Sequence, residues 1–265
     1  MVCPRGHSFD VARSGYVSLL QPQDRRSKQP GDPRQAVAAR RRFLEAGHGA
    51  PLLKALLAEI DAIGLLPGAA ILDVGCGEGT YLGGVARERR VEPHGLDLST
   101  FAVDLAARQF PGITWIVANA DRFLPYADGS FALILSIDAR LHAAEMRRVL
   151  APEGRLLVAV PAPDDLVELR QAVLGEGILK DRLQSAAARL AACFELETRR
   201  TVRDRLRLGP AEARDALAAT YRGVRESQRQ RTAEVREMEV TLSHELARFR
   251  PRETADATGE VYPTR

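Results

Sequence analysis

The residues best placed to do chemistry stand in "LDVGCGEGTY", where an apolar run ending at Val74 leads into Gly75, Gly77 and Gly79, with Asp73 just ahead of them. Glycines in this arrangement allow a tight turn and let a ligand approach the backbone. A helix starting there offers it unpaired N–H donors. Asp97 ends a second apolar run, "GLDLS", where an acidic side chain can accept both hydroxyls of a ribose. Asp121 follows a third run in "ANADRF", in a position to accept from an adenine amino group. The candidate nucleotide-cofactor site therefore comprises Asp73, Gly75, Cys76, Gly77, Glu78, Gly79, Asp97, Leu98, Ala120 and Asp121. Asp138 and Asp165 follow the fourth and fifth apolar runs and are candidate acid–base groups. The N-terminal "CPRGH" is a Cys-x3-His zinc knuckle. Structural zinc takes four protein ligands, and the remaining cysteines, Cys76 and Cys193, are isolated. No complete metal site is expected in the chain.

These residues need a scaffold, and the hydrophobic rhythm supplies one. "GDPRQAVAARRRFLEAGHG" reads as a helix with Asp32 as N-cap candidate, Pro33 in its first turn and Gly47 as its stop. "PLLKALLAEIDAIG" is a second helix, with Leu53, Leu56, Leu57 and Ile60 at helical spacing. From residue 69 short aliphatic strands alternate with helices: "AAILDVG", "VEPHGLDLS", "GITWIVANA", "SFALILSI" and "GRLLVAVP" are the strands. Such alternation implies a parallel sheet covered on both faces. Helices from about Asp164 and over 178–191, the strand "FELETRRTVRDRLRL", a helix after Pro210 and the alternating "EVTLSHELARF" complete the pattern. Trp115 and Phe131 read as core residues on strands. The expected organisation is an extension over 1–31, a main domain over 32–250 and a loose polar tail over 251–265.

Composition narrows the setting. The chain has 265 residues, 45% of them hydrophobic and 28% charged, an ordinary globular balance. No apolar run approaches the ~20 residues a membrane span requires. There is no signal-peptide pattern, and three cysteines do not make a disulfide framework, so a cytoplasmic setting is expected. A net charge of +3 hides two basic clusters, one over Arg25–Arg42 and one over Arg222–Arg231, of a kind that suits nucleic acid.

The glycine motif, Asp97 and Asp121, in this order, resemble the class I S-adenosylmethionine-dependent methyltransferases. "CPRGHSFDVARSGYVSLL", "RRSKQPGD" and "AARRRFLEAGH" resemble, more narrowly, the bacterial large-subunit rRNA guanine-N1 methyltransferases, over Cys3 to roughly Glu168. The resemblance implies a Rossmann-like α/β fold with a mostly parallel, seven-stranded sheet. It implies S-adenosylmethionine or S-adenosylhomocysteine at the glycine site. It also implies a zinc module whose third and fourth ligands align with Cys3 and His7, so that either the start lies upstream or the module has decayed. On an N1 acceptor a proton must leave, which makes Asp138 and then Asp165 candidate bases, while His48 and His142 read as structural or surface residues. Arg40, Arg41 and Arg42 are placed to contact RNA phosphates.

Four departures stand against this match. Gly49 replaces a family tyrosine, Asp165 a histidine, and "DAR" at 138–140 an aromatic-Ala-Pro sequence; "ATYRGVRES" stands in place of a Met-Thr-Pro and Trp pattern. The acceptor is accordingly either RNA or, in a diverged enzyme of specialised metabolism, a small molecule or the cofactor's own aminobutyrate chain. A homodimer is left open.

Overall fold

The computed structural model describes residue 6 and residues 8–20, 31–175, 181–220 and 234–252. The zinc-knuckle residues Cys3 and His7, the basic residues Arg25, Arg26 and Lys28, the cluster over Arg222–Arg231 and nearly all of the expected tail lie outside them. In chain order the strands are β1 (Val17–Ser18), β2 (Ala69–Val74), β3 (Val91–Asp97), β4 (Thr114–Val117), β5 (Phe131–Ile137), β6 (Leu150–Pro161), β7 (Phe194–Leu208) and β8 (Met238–Pro251). The helices are α1 (Arg34–Phe43), α2 (Ala50–Ile63), α3 (Thr80–Glu88), α4 (Thr100–Gln109), α5 (Ala143–Val149), α6 (Val167–Leu174), α7 (Arg182–Leu190) and α8 (Pro210–Thr220).

The strands form one sheet in the order β1-β4-β3-β2-β5-β6-β8-β7. All neighbours are parallel except β8, which runs antiparallel to both β6 and β7. Among the described residues the sheet thus has eight strands rather than the expected seven. The extra one comes from the N-terminal extension, where Val17 and Ser18 pair with Ile116 and Val117 while Tyr16 and Leu20 pack against the main core. Residues 16–20 are part of the sheet's edge, not a separate appendage.

Because successive strand residues point to opposite faces, each strand feeds two cores. Ile71, Leu135 and Leu157 pack with Leu56 and Ile60 of α2, Leu82 of α3 and Val103 of α4. Leu72, Ile134, Leu156 and Val158 pack on the other side with Met146 of α5 and Leu183 and Leu190 of α7. Burying a side chain of this size contributes roughly 1.5–3 kcal/mol. Trp115 and Phe131 are both in the core, at 2% and 1% exposure. A third, smaller cluster joins Leu166 and Leu169 near α6 to Ala213 and Leu217 of α8 and to Leu208, Val240 and Leu242 of β7 and β8.

Two local expectations change. Asp32 does not cap α1: Pro33 occupies the N-cap position without a side-chain bond, and the Asp32 carboxylate turns to Arg40, at 3.4 Å. Gly47 ends the helical run as expected, but at a kink rather than in a loop. It sits at φ 96° inside a π turn, Leu44–His48, which bends α1 directly into α2. Only glycine enters this backbone region without steric cost, so the kink falls there.

Candidate cofactor and acceptor site

A cleft of about 880 Å³ opens at the carboxyl ends of β2, β3, β4 and β5, where open α/β sheets bind ligands. Asp73, Gly75, Cys76 and Glu78 line it from the glycine loop, Asp97 and Leu98 from the end of β3, and Ala120 and Asp121 from the segment after β4. The three glycines have φ values of 84°, 57° and 81°, and each leaves room for a different neighbour. A Cβ on Gly75 would stand 2.5 Å from the Ala139 Cβ. One on Gly77 would meet the Arg40 guanidinium at 2.2 Å. One on Gly79 would strike Trp115 at 2.5 Å and Ala106 at 2.9 Å. Gly75 therefore lines the cleft, Gly77 lies beneath Arg40, and Gly79 packs against the core. The missing Cβ at Gly79 allows α3 to pack closely on Trp115.

Asp97 ties the site together. One carboxylate oxygen accepts from the Gly77 amide at 3.0 Å and the other from the Ser99 amide at 2.7 Å. Burial raises its pKa, and the two amide bonds work against that shift. Each oxygen retains capacity for a further donor such as a ribose hydroxyl. Asp73 is 2% exposed, and its Oδ1 has no hydrogen-bond partner. Burial, then the neighbouring Asp97 and Glu78, push its pKa up to about 8, with Arg40 opposing. A buried carboxylate with an orphaned oxygen beside a glycine cradle fits a cationic nucleoside ligand such as S-adenosylmethionine. Of this chain's residues, Asp97 would hold its ribose, and Asp73 would supply compensating charge near the glycine loop.

Other members of the site have different tasks. Glu78 is 3% exposed, and its carboxylate accepts from Arg40 Nε at 2.8 Å. It is thereby committed to an ion pair. The Cys76 thiol is buried, and burial pushes its pKa well up, so it is not a nucleophile. Asp121 is exposed, with Arg140 Nη1 and His142 Nδ1 each 3.6 Å from its carboxylate. His142 lines the cleft, its side chain only 16% exposed. His48 pairs with Glu212 of α8 at 3.0 Å, a structural contact.

Three consecutive arginines part company on α1. Arg40 turns inward over the glycine loop to Glu78 and Asp32. Arg41 pairs with Glu45 at 2.7 Å, and Arg42 donates through Nε to Asp215 of α8 at 2.8 Å. The Arg40 guanidinium lines the cofactor cleft.

A second cavity, of about 200 Å³, adjoins the cleft and shares Arg40, Tyr81 and Asp138 with it. Asp138 follows β5 at φ 53°, and its amide donates to Ala159 O at 2.9 Å. Asp165 lines the second cavity but not the first. Its Oδ1 accepts from the Ser243 amide at 2.9 Å, and Arg170, fully buried, donates to the Asp165 carbonyl at 2.9 Å. Burial raises the Asp165 pKa to about 6, against the effect of His244. His244 Nε2 lies 3.4 Å from Asp138 Oδ2. Sequence reasoning missed His244, Arg40's inward turn and Tyr81. Gly49 has a simple steric reason: a Cβ there would stand 2.8 Å from Leu44 Cδ2 and 3.3 Å from the Tyr81 hydroxyl. Among the described residues no three His, Cys, Asp or Glu side chains gather into a metal-binding group.

Residues 71–154 match the model of a methyltransferase domain, and residues 1–28 match that of the RlmA N-terminal region. The chain is 39% identical over 209 residues to the 23S rRNA (guanine(748)-N(1))-methyltransferase of Streptomyces fradiae, covering 78% of this chain and 73% of that one. It is 34% identical over 269 residues to a Micromonospora griseorubida protein provisionally named as a 23S rRNA (guanine-N(1)-)-methyltransferase, covering 94% and 90% respectively. Among solved structures, the YcgJ protein of Bacillus subtilis superposes with a TM-score of 0.54 at 18% identity, over 76% of this chain and 99% of that one, a likeness of fold. On this relationship, the fold and the cofactor cleft, the chain belongs to the class I S-adenosylmethionine-dependent methyltransferases, in the family of the 23S rRNA guanine-N1 methyltransferases.

Proposed function

We propose that this protein methylates N1 of a guanine in 23S rRNA. The observation that carries the reading is the 39% identity to the Streptomyces fradiae enzyme over 78% of this chain, beside the match of residues 1–28 to the RlmA N-terminal region. The cofactor would supply an electrophilic methyl group. The protein's part is to align an acceptor with it, a proximity effect, and to manage the proton that leaves the acceptor. Asp97 and the glycine loop fix the nucleoside. The cavity bearing Asp138 and Asp165 then lies beside it to receive the base. At about 200 Å³ this cavity is smaller than the ~300–1,000 Å³ pockets that enclose a drug-sized ligand, and suits one part of a larger acceptor.

One observation favours a second reading. Arg40, Arg41 and Arg42 are each paired to carboxylates, which weakens their claim on a phosphate backbone and leaves room for a small-molecule acceptor. The test is incubation of the protein with labelled cofactor and 23S rRNA lacking the modification, followed by digestion to nucleosides. The rRNA reading expects labelled 1-methylguanosine. Its absence, together with turnover of cofactor into a labelled small product, selects the second.

A further inference from the structure

We propose that His244, oriented by Asp138, is the base that takes the proton an acceptor nitrogen must lose on methylation. The proposal rests on the rRNA guanine reading and adds a residue to it. His244 enters the acceptor cavity from β8, where it is paired in register with Pro161 of β6 on one side and Val202 of β7 on the other. Its side chain is 20% exposed, and Nε2 faces the Asp138 carboxylate at 3.4 Å. Asp138 lies on the boundary between cofactor cleft and acceptor cavity, whereas His244 lines the acceptor cavity alone. The pair therefore spans the place where donor and acceptor must meet.

The fold holds this arrangement firmly. The loop carrying Asp165 is tied to β8 by the Ala162 amide donating to Ser243 O and the Leu166 amide donating to Thr241 O, at 2.9 and 2.7 Å. Asp165 then binds the Ser243 amide, one residue from His244. Burial disfavours a charged His244, but the Asp138 and Asp165 carboxylates outweigh it, so its pKa is raised. The other titratable groups around the cavity are Asp32 ahead of α1, Arg40 from its last turn and Tyr81 from α3, with His48, Arg182 and Asp204 completing its wall.

The chemistry needs such a group. As the acceptor nitrogen gains methyl, an N–C bond forms and the donor's sulfur–carbon bond breaks with its electron pair left on sulfur. The N–H proton passes to the imidazole, which becomes imidazolium. An imidazole, whose ordinary pKa lies nearer neutrality than a carboxylate's, is the better matched base for this task. A carboxylate at hydrogen-bond reach then fixes its tautomer and stabilises the charge it acquires.

Two measurements on the full chain test the assignment. Histidine side-chain NMR titration, with the His244 signal assigned by its loss in His244→Gln, should give a pKa above that of an ordinary histidine side chain, falling in Asp138→Asn. The pH dependence of single-turnover methyl transfer to rRNA should show an acid limb at that same pKa. His244→Gln should lose the limb and slow transfer by roughly 100-fold or more, with S-adenosylhomocysteine affinity unchanged. Asp138→Asn should move the limb to lower pH. Transfer within about threefold of wild type in His244→Gln, with the wild-type pH profile, overturns the proposal, as does a His244 pKa indifferent to Asp138→Asn. Failure of the wild type to methylate rRNA overturns the underlying acceptor reading instead, while the titration still decides the pairing.

Discussion

Asp73→Asn should stabilise the cofactor-free protein, and by an amount that grows with pH. Asp73 is 2% exposed with an orphaned oxygen, and its pKa stands at about 8 against an ordinary 3.8. A carboxyl whose folded pKa is raised holds its proton in the native state while the unfolded chain releases it. Its contribution is fully favourable below about pH 4 and is lost progressively as pH rises towards about 8. At pH 7 about three units of that interval have been crossed. At 1.36 kcal/mol per unit the cost to the native state is on the order of 4 kcal/mol. Asparagine does not ionise and escapes this cost, apart from the penalty of burying an amide. Urea denaturation of both proteins at pH 5, 6, 7 and 8 should show the stability difference widening by roughly 1.4 kcal/mol per pH unit. Asp97 and Asp165, also raised by burial, titrate in both proteins and largely cancel in the difference. A cationic ligand in the cleft should favour ionised Asp73, so S-adenosylmethionine affinity should rise with pH in the wild type and lose that trend in the variant. A stability difference that stays flat from pH 5 to 8 would refute the reasoning.

Asp97→Ala should weaken S-adenosylhomocysteine binding by ~1.5–3 kcal/mol, the value of hydrogen bonds to a charged group, read by calorimetry; unchanged affinity removes Asp97 from the site. Arg40→Ala strands the buried Glu78 carboxylate and should cost on the order of 2 kcal/mol of stability, and it should also alter cofactor affinity. Arg42→Ala, losing an exposed pair, should cost ~1 kcal/mol or less and leave cofactor affinity alone, so equal effects of the two substitutions in denaturation and calorimetry would contradict the inward placement of Arg40.

Much of the scaffold was legible because it is written locally. Aliphatic runs such as "AILDV" and "LILSI" are buried on both faces of the sheet, and their alternation with helices admits few arrangements. The glycine loop was legible because positive φ at Gly75, Gly77 and Gly79 leaves little choice of residue. What stayed hidden depends on direction or on distant pairing. Arg40, Arg41 and Arg42 look equivalent in a string of letters, yet neighbours on a helix with 3.6 residues per turn point roughly 100° apart. Only one of them meets Glu78. His244 gave no signal because its position follows from the register of β8 against β6 and β7. No local pattern sets that register. The two-residue β1 was too short to show any alternation, and its pairing with β4 is set by the chain around it.

The order of synthesis differs from the order of the sheet. β8, made after the other seven strands, belongs between β6 and β7. Until it emerges, the edge of β6 on that side and the 15 residues of β7 have no strand partner among the described residues. The strands that form the cofactor cleft, β2 to β5, can pair much earlier, since they need nothing beyond β6. A growing chain thus completes its nucleoside-binding half first and carries two open strand edges until the final insertion. Chains cut short before Met238 would keep those edges exposed, a template for intermolecular strand pairing, and would lack His244 altogether. Proteolytic or premature truncation should therefore yield aggregates rather than a smaller active enzyme.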